Sequence, residues 1–173
     1  MMQVTYALIP IFIALGVTIF ILIRNQQKKS KSALKRHEEL IGEILIETNT
    51  KVDFRKQLIH QNLIIDTAAQ KLLLIDHRNA RYDYNLIKLA DIQGCKLKSL
   101  TESLQNDGGK GKVEMLTKQI GLEIILPVIS QNPPLVIFYD INRHNVYVES
   151  DMREEARMIQ ERIMDAKKNL IPS

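Results

Sequence analysis

The chain has 173 residues and a formal net charge of +4, from 24 Lys or Arg and 20 Asp or Glu residues. Six of the 24 cations lie together in residues 24–36, so the other 18 are outnumbered by the acids and the rest of the chain has a net charge of about −2. Cations interleaved with aromatic residues over a folded surface, the pattern of a nucleic-acid-binding domain, are missing. A single cysteine, Cys95, excludes an intramolecular disulfide and gives no indication of an oxidising compartment.

The first element in chain order is an apolar stretch at residues 4–23, VTYALIPIFIALGVTIFILI, which contains no charged residue. A helix of this length extends roughly 30 Å, the thickness of a bilayer's hydrocarbon core. The stretch therefore predicts a single transmembrane anchor at residues 1–24. A cleaved signal peptide is the alternative, and it fits less well because no cation precedes the stretch and no small-residue cleavage site follows it.

A cluster of six cations without an acid follows the apolar stretch, whereas the residues before the stretch carry no Lys or Arg. The positive-inside rule then predicts an outside N-terminus and a cytoplasmic C-terminal domain, at the inner (cytoplasmic) membrane. The cluster either binds anionic lipid headgroups or only sets the topology. We refer to these residues as the basic cluster: Arg24, Lys28, Lys29, Lys31, Lys35 and Arg36.

Residues 25–52 are predicted to form a basic juxtamembrane linker that includes an amphipathic helix at residues 31–47. Leu34, Ile41 and Leu45 share one stripe at helical spacing, and the glutamates lie elsewhere. The stripe needs a partner, which is its own folded domain, a lipid surface or a second copy of the chain. With about two heptads, too few for a coiled coil, its own domain is the expectation.

From residue 53 onward the hydrophobic period changes to that of short strands separated by turn residues. About seven antiparallel strands are predicted, and the first two form a hairpin around a turn at residues 66–70. In the third strand, the alternate residues Tyr82, Tyr84 and Leu86 share one face. The seventh strand, LVIFY, is apolar throughout and is predicted to be buried on both sides. The predicted strands are residues 58–65, 71–75, 81–87, 94–100, 113–116, 120–126 and 135–139.

The C-terminal residues 151–170 are predicted to form one amphipathic helix, because apolar residues recur there at spacings of three and four. Asp151 and Glu154 have the spacing of a capping box. The apolar stripe consists of Met152, Ala156, Ile159, Ile163, Ala166 and Leu170.

This order of elements resembles the pleckstrin-homology-like superfold, and more closely the bacterial membrane-tethered domains of that kind whose function is not established. The resemblance rests on the hairpin 63–75, the run from YDY through ADI to CKL, the strand 120–126 with the following NPPLVIF, and the closing helix. It implies an α+β, mainly β domain at residues 53–173, in which a barrel of about seven antiparallel strands is closed by the C-terminal helix.

No motif in the chain indicates catalysis or a cofactor. The segment GGKGK at residues 108–112 lacks both the earlier Gly and the following Ser or Thr of a phosphate-binding loop. The four histidines share no ligand spacing, and a single cysteine does not complete a structural zinc site. The first hairpin turn offers only Lys71, whereas a phosphoinositide needs several clustered cations. The sequence therefore predicts no enzyme, no metal and no cofactor.

The sequence thus predicts a non-enzymatic, membrane-anchored cytoplasmic interaction module that presents a surface to a protein partner. Two alternatives are a small accessory subunit of a larger membrane complex, with the transmembrane helix as its assembly surface, and a lipid-binding domain. Nucleic acid is not expected as a partner. The candidate partner surface comes from the fourth strand, the loop 106–112 and the C-terminal helix, and consists of Lys96, Lys98, Lys110, Lys112, Arg153 and Arg157.

Overall fold

The computed structural model describes residues 2–78, 82–104, 114–127 and 133–169, with side chains described from Ile19 onward except those of Leu104 and Glu114. The chain divides into two compact units, one up to Ile46 and the other from Glu47 onward. Helix α1 (Met2–Glu47) makes up the first unit, except for its last residue, Glu47, which belongs to the second unit. The second unit contains two antiparallel sheets and a C-terminal helix.

Helix α1 corrects the prediction of a transmembrane anchor. In the part of the chain that the structure describes, no helix has both the length and the apolar character that crossing a membrane requires. The predicted membrane span at residues 4–23 is contradicted by this finding. The side chains of residues 4–18 lie outside the described residues.

The strands form two sheets, which we name sheet A and sheet B. Sheet A has the strand order β1-β2-β3-β4, and sheet B has the order β5-β6-β7. The strands of sheet A are β1 (Phe54–Gln57), β2 (Gln61–Asp66), β3 (Lys71–Asp76) and β4 (Asp83–Lys88). Those of sheet B are β5 (Gly94–Leu104), β6 (Glu114–Ile125) and β7 (Leu135–Asp140), and helix α2 (Glu149–Lys168) follows them.

The predicted closed barrel is wrong, because no described strand of one sheet pairs with a strand of the other. Strand β1 has only four residues, and all of them pair with β2, from Phe54 opposite Ile65 to Gln57 opposite Asn62. No part of β1 is left to continue into sheet B. Between β4 and β5 the chain makes a short 3-10 turn at Leu89–Asp91, which carries it from one sheet to the other.

The hydrophobic core lies between the inner faces of the two sheets and one face of α2. Helix α2 contributes the buried residues that the apolar stripe predicted, except Met152, which is half-buried, and Leu170, which lies outside the described residues. The predicted capping box is wrong, since α2 begins at Glu149 after Val148 and has no side-chain cap. The core includes Leu63, Ile65, Leu72, Leu89, Ile92, Ile120, Leu122, Ile124, Phe138, Tyr139, Ile159 and Ile163.

The hairpin β2–β3 confirms the predicted first hairpin, and a buried carboxylate holds its turn. Asp66 accepts hydrogen bonds from the backbone N–H of Lys51 at 2.6 Å and of Ala69 at 2.7 Å. Gln70 has a φ of 56°, which closes the turn. Strand β2 is buried along its whole length. Strand β7, which was predicted to be buried on both sides, is buried at Val136, Phe138 and Tyr139 and half-buried at its other three residues.

Candidate protein-binding edge

In the described part of the chain the two sheets do not close into a barrel. They therefore have four edge strands there, β1 and β4 in sheet A and β5 and β7 in sheet B. An edge strand presents backbone N–H and C=O groups that can pair with another chain unless something occupies or blocks them. The four edges differ in the side chains that reach them.

Helix α2 holds β1 by two side-chain contacts. Glu155 forms an ion pair with Lys56. The guanidinium carbon of Arg162 lies 4.1 Å from the centre of the Phe54 ring, within the range of a cation–π interaction. Strand β1 is therefore fixed against the helix.

The same helix also holds β5. Gln160 Nε2 donates a hydrogen bond of 2.8 Å to the carbonyl oxygen of Cys95, which occupies a backbone acceptor of this strand. Arg153 Nη1 donates to Ser99 Oγ at 2.9 Å. One helix thus contacts an edge strand of each sheet and joins the two sheets through side chains.

The edge of β7 is occupied by the side-chain amide of Gln61. Gln61 Nε2 donates to the Leu135 carbonyl at 3.0 Å, and Gln61 Oε1 accepts from the Ile137 N–H at 2.9 Å. The amide also donates to Asp76 at 3.3 Å. The Gln61 side chain is buried. Its amide donates to and accepts from β7 as the peptide group of a neighbouring strand would.

The free edge of β4 is different. The N–H of Leu89 donates to the Gln70 carbonyl at 2.9 Å, so residues 83, 85 and 87 also direct their backbone groups toward β3. Tyr84, Leu86 and Lys88 then direct their N–H and C=O groups away from the sheet. Within the described ranges, no strand and no side chain pairs with these six groups. We call these three residues the β4 edge.

The side chains of the β4 edge lie on one face of sheet A, opposite the core. Tyr84 is 38% exposed and Leu86 is 43% exposed, and Lys88 is also exposed. Between them the strand turns Ile87 into the core, where it is buried. The β4 edge therefore combines unpaired backbone groups with two exposed apolar side chains.

Glu47 fixes the orientation of Tyr84. The Tyr84 hydroxyl donates to Glu47 Oε1 at 2.7 Å, and this hydrogen bond to a carboxylate raises the pKa of Tyr84. Lys71 Nζ donates to the Thr48 carbonyl at 3.2 Å, which holds the chain that follows Glu47 on the same face. Lys88 has no ion pair among the described residues, so its ammonium group is available beside the exposed apolar pair.

The predicted partner surface is not one patch. Lys96 and Lys98 are exposed on β5, and strand alternation places them on the face opposite Ser99, to which Arg153 of α2 donates. Lys98 is paired with Glu123, and Arg157 lies 3.4 Å from Glu154. Lys110 and Lys112 lie outside the described residues.

The six residues of the basic cluster all lie on α1 and are exposed. Lys35 Nζ lies 3.6 Å from Glu39 Oε1, one helical turn away. Pairs of this kind at a solvated surface contribute little to stability.

A polar cleft of about 200 Å³ lies beside Gln61, lined by charged groups that include Arg78, Asp140 and Arg143. Arg78 Nε donates to Asp76 Oδ2 at 2.8 Å. Burial alone would raise the pKa of Asp76, but the hydrogen bonds from Arg78, the Arg78 charge and the hydrogen bond from Gln61 together lower the pKa. Since Asp76 balances Arg78 and Asp140 accompanies Arg143, the cleft lacks the excess of cations that a polyanionic lipid headgroup requires.

The described residues contain no group of three or more His, Cys, Asp or Glu side chains placed to hold a metal ion. Cys95 is half-buried, and this burial raises the pKa of its thiol to about 11, although Lys167 opposes the effect. The thiol is therefore protonated at neutral pH and is a poor nucleophile.

No protein-family model matches this sequence, and comparisons with curated proteins and with solved structures return no match. The resemblance to the pleckstrin-homology-like superfold therefore stays a prediction. The β4 edge is interpreted from its own geometry.

Sequence reasoning missed the β4 edge although it recognised the strand. The alternation of Tyr82, Tyr84 and Leu86 is visible in the sequence, but an apolar face is ordinarily assigned to the core. The signal that this face is exposed lies in the next residue, Ile87. It is the one aliphatic β-branched residue of the run, and it occupies the opposite, buried face.

Proposed function

We propose that this protein is a non-enzymatic interaction module that binds an extended segment of a protein partner along the β4 edge. The proposal rests on the contrast among the four sheet edges. Side chains of α2 pack against side chains of β1 and bond one carbonyl of β5, and Gln61 bonds two backbone groups of β7. None of the six outward backbone groups of the β4 edge has a partner in the described residues.

Binding would occur by addition of a strand to sheet A. The partner's backbone would pair with the N–H and C=O groups of Tyr84, Leu86 and Lys88, and these hydrogen bonds would supply much of the affinity. Specificity would come from the alternate side chains. Apolar residues of the partner would cover Tyr84 and Leu86, and an acidic residue would meet Lys88.

The β4 edge is preorganised for this role. All six residues of β4 pair with β3, from Asp83 opposite Asp76 to Lys88 opposite Lys71, and β3 in turn pairs along its length with β2. Since the receiving strand is already ordered, the entropy cost of binding falls mainly on the partner segment.

The test is a crosslinked affinity purification of the tagged full-length chain, with retained proteins identified by mass spectrometry, beside three variants. Leu86→Pro removes an N–H that points away from β3, so it blocks strand addition without removing a bond inside the sheet. Leu86→Lys changes the exposed side chain only. Leu100→Lys is the matched control, because Leu100 is an exposed leucine of another edge strand, β5.

We expect a partner to be retained by the unmodified chain and by Leu100→Lys, and to be lost with both Leu86 variants. Thermal unfolding of each variant verifies that the fold is intact. If the folded Leu86 variants retain the same proteins as the unmodified chain, the β4 edge is not the binding surface.

A further inference from the structure

We infer that the segment received by the β4 edge is the β4 edge of a second copy of this chain, in a two-fold symmetric antiparallel pair. This inference rests on the proposed function and names its partner. The strand is complementary to itself in backbone pairing, in side-chain contact and in charge.

Backbone geometry selects one register. Only an antiparallel pair with its two-fold axis at Leu86 places every outward residue opposite another, with Leu86 opposite its own copy and Tyr84 opposite Lys88. All six outward N–H and C=O groups are then paired. An axis at Asn85 leaves Lys88 without a counterpart in β4, and an axis at Ile87 leaves Tyr84 without one.

Side chains agree with this register. Residues directly opposite on one face of an antiparallel pair are in contact, so the two exposed Leu86 side chains would meet at the axis. Lys88 of each copy would lie beside the Tyr84 ring of the other copy, where a cation is attracted to the aromatic face. The apolar area that each copy exposes at Tyr84 and Leu86 is thereby covered.

Charge agrees as well. The Tyr84 hydroxyl is bonded to Glu47, so the Lys88 ammonium of one copy would approach the Glu47 carboxylate of the other. A lysine on a sheet edge ordinarily discourages strand pairing. Here Lys88 favours a partner that brings an acidic group next to it. A second copy of this chain does so, because its Tyr84 carries the Glu47 carboxylate.

A disulfide trap tests the register directly. Residues in a hydrogen-bonded antiparallel pair have Cα atoms about 5.5 Å apart, which is within the range of a disulfide. In a Cys95→Ser background of the full-length chain, Leu86→Cys is expected to give a covalent dimer on mild oxidation. Leu100→Cys in the same background, also at an exposed leucine of an edge strand, is the control and is expected to form no covalent dimer.

A charge exchange tests the pairing of Lys88 with Glu47. By sedimentation over a concentration series, Lys88→Glu alone and Glu47→Lys alone are each expected to be monomeric, because each places like charges across the axis. An equimolar mixture of the two variants is expected to form dimers, because each interface then contains two opposite-charge pairs.

The outcomes separate this inference from the proposed function. If the unmodified chain stays monomeric and Leu86→Cys forms no covalent dimer, while a protein partner is still lost with the Leu86 variants, the inference is wrong and the proposed function stands. A dimer that persists unchanged in Leu86→Lys lies elsewhere on the molecule and also overturns the inference. If the Leu86 variants alter neither dimerisation nor partner capture, both proposals fail.

Discussion

The two edge strands of sheet A occupy equivalent positions, yet they have different surroundings. Strand β1 has four residues, and side chains of α2 contact its Phe54 and Lys56. Strand β4 has six residues, and its outward backbone groups have no partner in the part of the chain that the structure describes. Position in the sheet does not explain this difference. Side chains of α2 make β1 part of the scaffold, whereas β4 is contacted at the Tyr84 hydroxyl by Glu47 and keeps its outward backbone groups available for binding.

If this comparison holds, the largest loss of stability should come from the helix that holds the edges. Ile163→Ala removes a fully buried side chain of α2 and is expected to lower the free energy of unfolding by about 2–5 kcal/mol, measured by urea denaturation. Met158→Ala on the exposed side of the same helix is the control and should change it by less than about 0.5 kcal/mol. Equal effects of the two changes would contradict the packing described for α2.

A smaller loss is expected at the edge of β7. Gln61→Ala leaves the Ile137 N–H and the Leu135 carbonyl without their side-chain partner, at an expected cost of about 1–3 kcal/mol. Amide hydrogen exchange of Ile137 should accelerate more than that of residues in β3. Gln93→Ala, at an exposed glutamine, is the matched control. Unchanged exchange at Ile137 would mean that Gln61 does not protect this edge.

At the β4 edge, a substitution is expected to change binding without changing stability. Leu86→Lys changes a half-exposed side chain and is expected to alter the free energy of unfolding by less than about 0.5 kcal/mol. The same change should abolish the inferred dimer, as measured by sedimentation, because two lysines would meet at the two-fold axis. A large loss of stability in the monomer would show that β4 belongs to the scaffold as β1 does.

The smallest expected effect is a dependence on pH at Tyr84. Its hydrogen bond to Glu47 raises the pKa of the folded hydroxyl above the usual value of 10.0. The resulting stabilisation is present below pH 10.0 and is lost as the pH rises through the folded pKa, because ionisation removes the donor. The urea midpoint of the unmodified chain should therefore fall more over this alkaline range than that of Tyr84→Phe. Identical alkaline profiles would contradict the Glu47 contact.

The predicted number of strands agrees with the seven found in the described residues only because two errors offset each other. Strand β1, FRKQ, was missed because four mostly polar residues carry no apolar alternation, and contacts with α2 position it from a distance of about 100 residues in sequence. Strand β6 was predicted as two strands, 113–116 and 120–126, although it is continuous from Glu114 to Ile125. The polar residues between the two apolar runs pair with β5 across a bulge, a tertiary feature that local pattern does not show.

Helix α2 was predictable in its buried face but not in its beginning. The spacing of Ala156, Ile159, Ile163 and Ala166 fixes which side enters the core. The start at Glu149 depends partly on a partner outside the helix, since Glu149 accepts from Thr117 of β6 at 2.9 Å. Glu149 also accepts from Arg153, one turn further along α2, at 2.8 Å. These contacts lower the pKa of Glu149, with the Arg153 hydrogen bond as the largest cause.

The candidate site could be located from the sequence only as far as its strand. Alternation shows that Tyr84 and Leu86 share a face, and it does not show whether that face is buried. The cationic residues predicted as a partner surface were chosen for exposure alone, and the structure divides Lys98 and Arg153 between two faces of sheet B. Every residue carries the same backbone groups, so the sequence does not show which of them are unpaired. The pairing of the strands shows it.

The amide of Gln61 also determines how the molecule would respond to force. A pull on β4 is carried across β3 and β2 by rows of backbone hydrogen bonds, which share the load along each strand. Between β2 and β7, the load is carried by the hydrogen bonds of one side chain, that of Gln61. Under tension on β4, sheet A is therefore expected to move as one rigid unit. The hydrogen bond between Gln61 and Leu135 is expected to break before the strands of sheet A separate from one another.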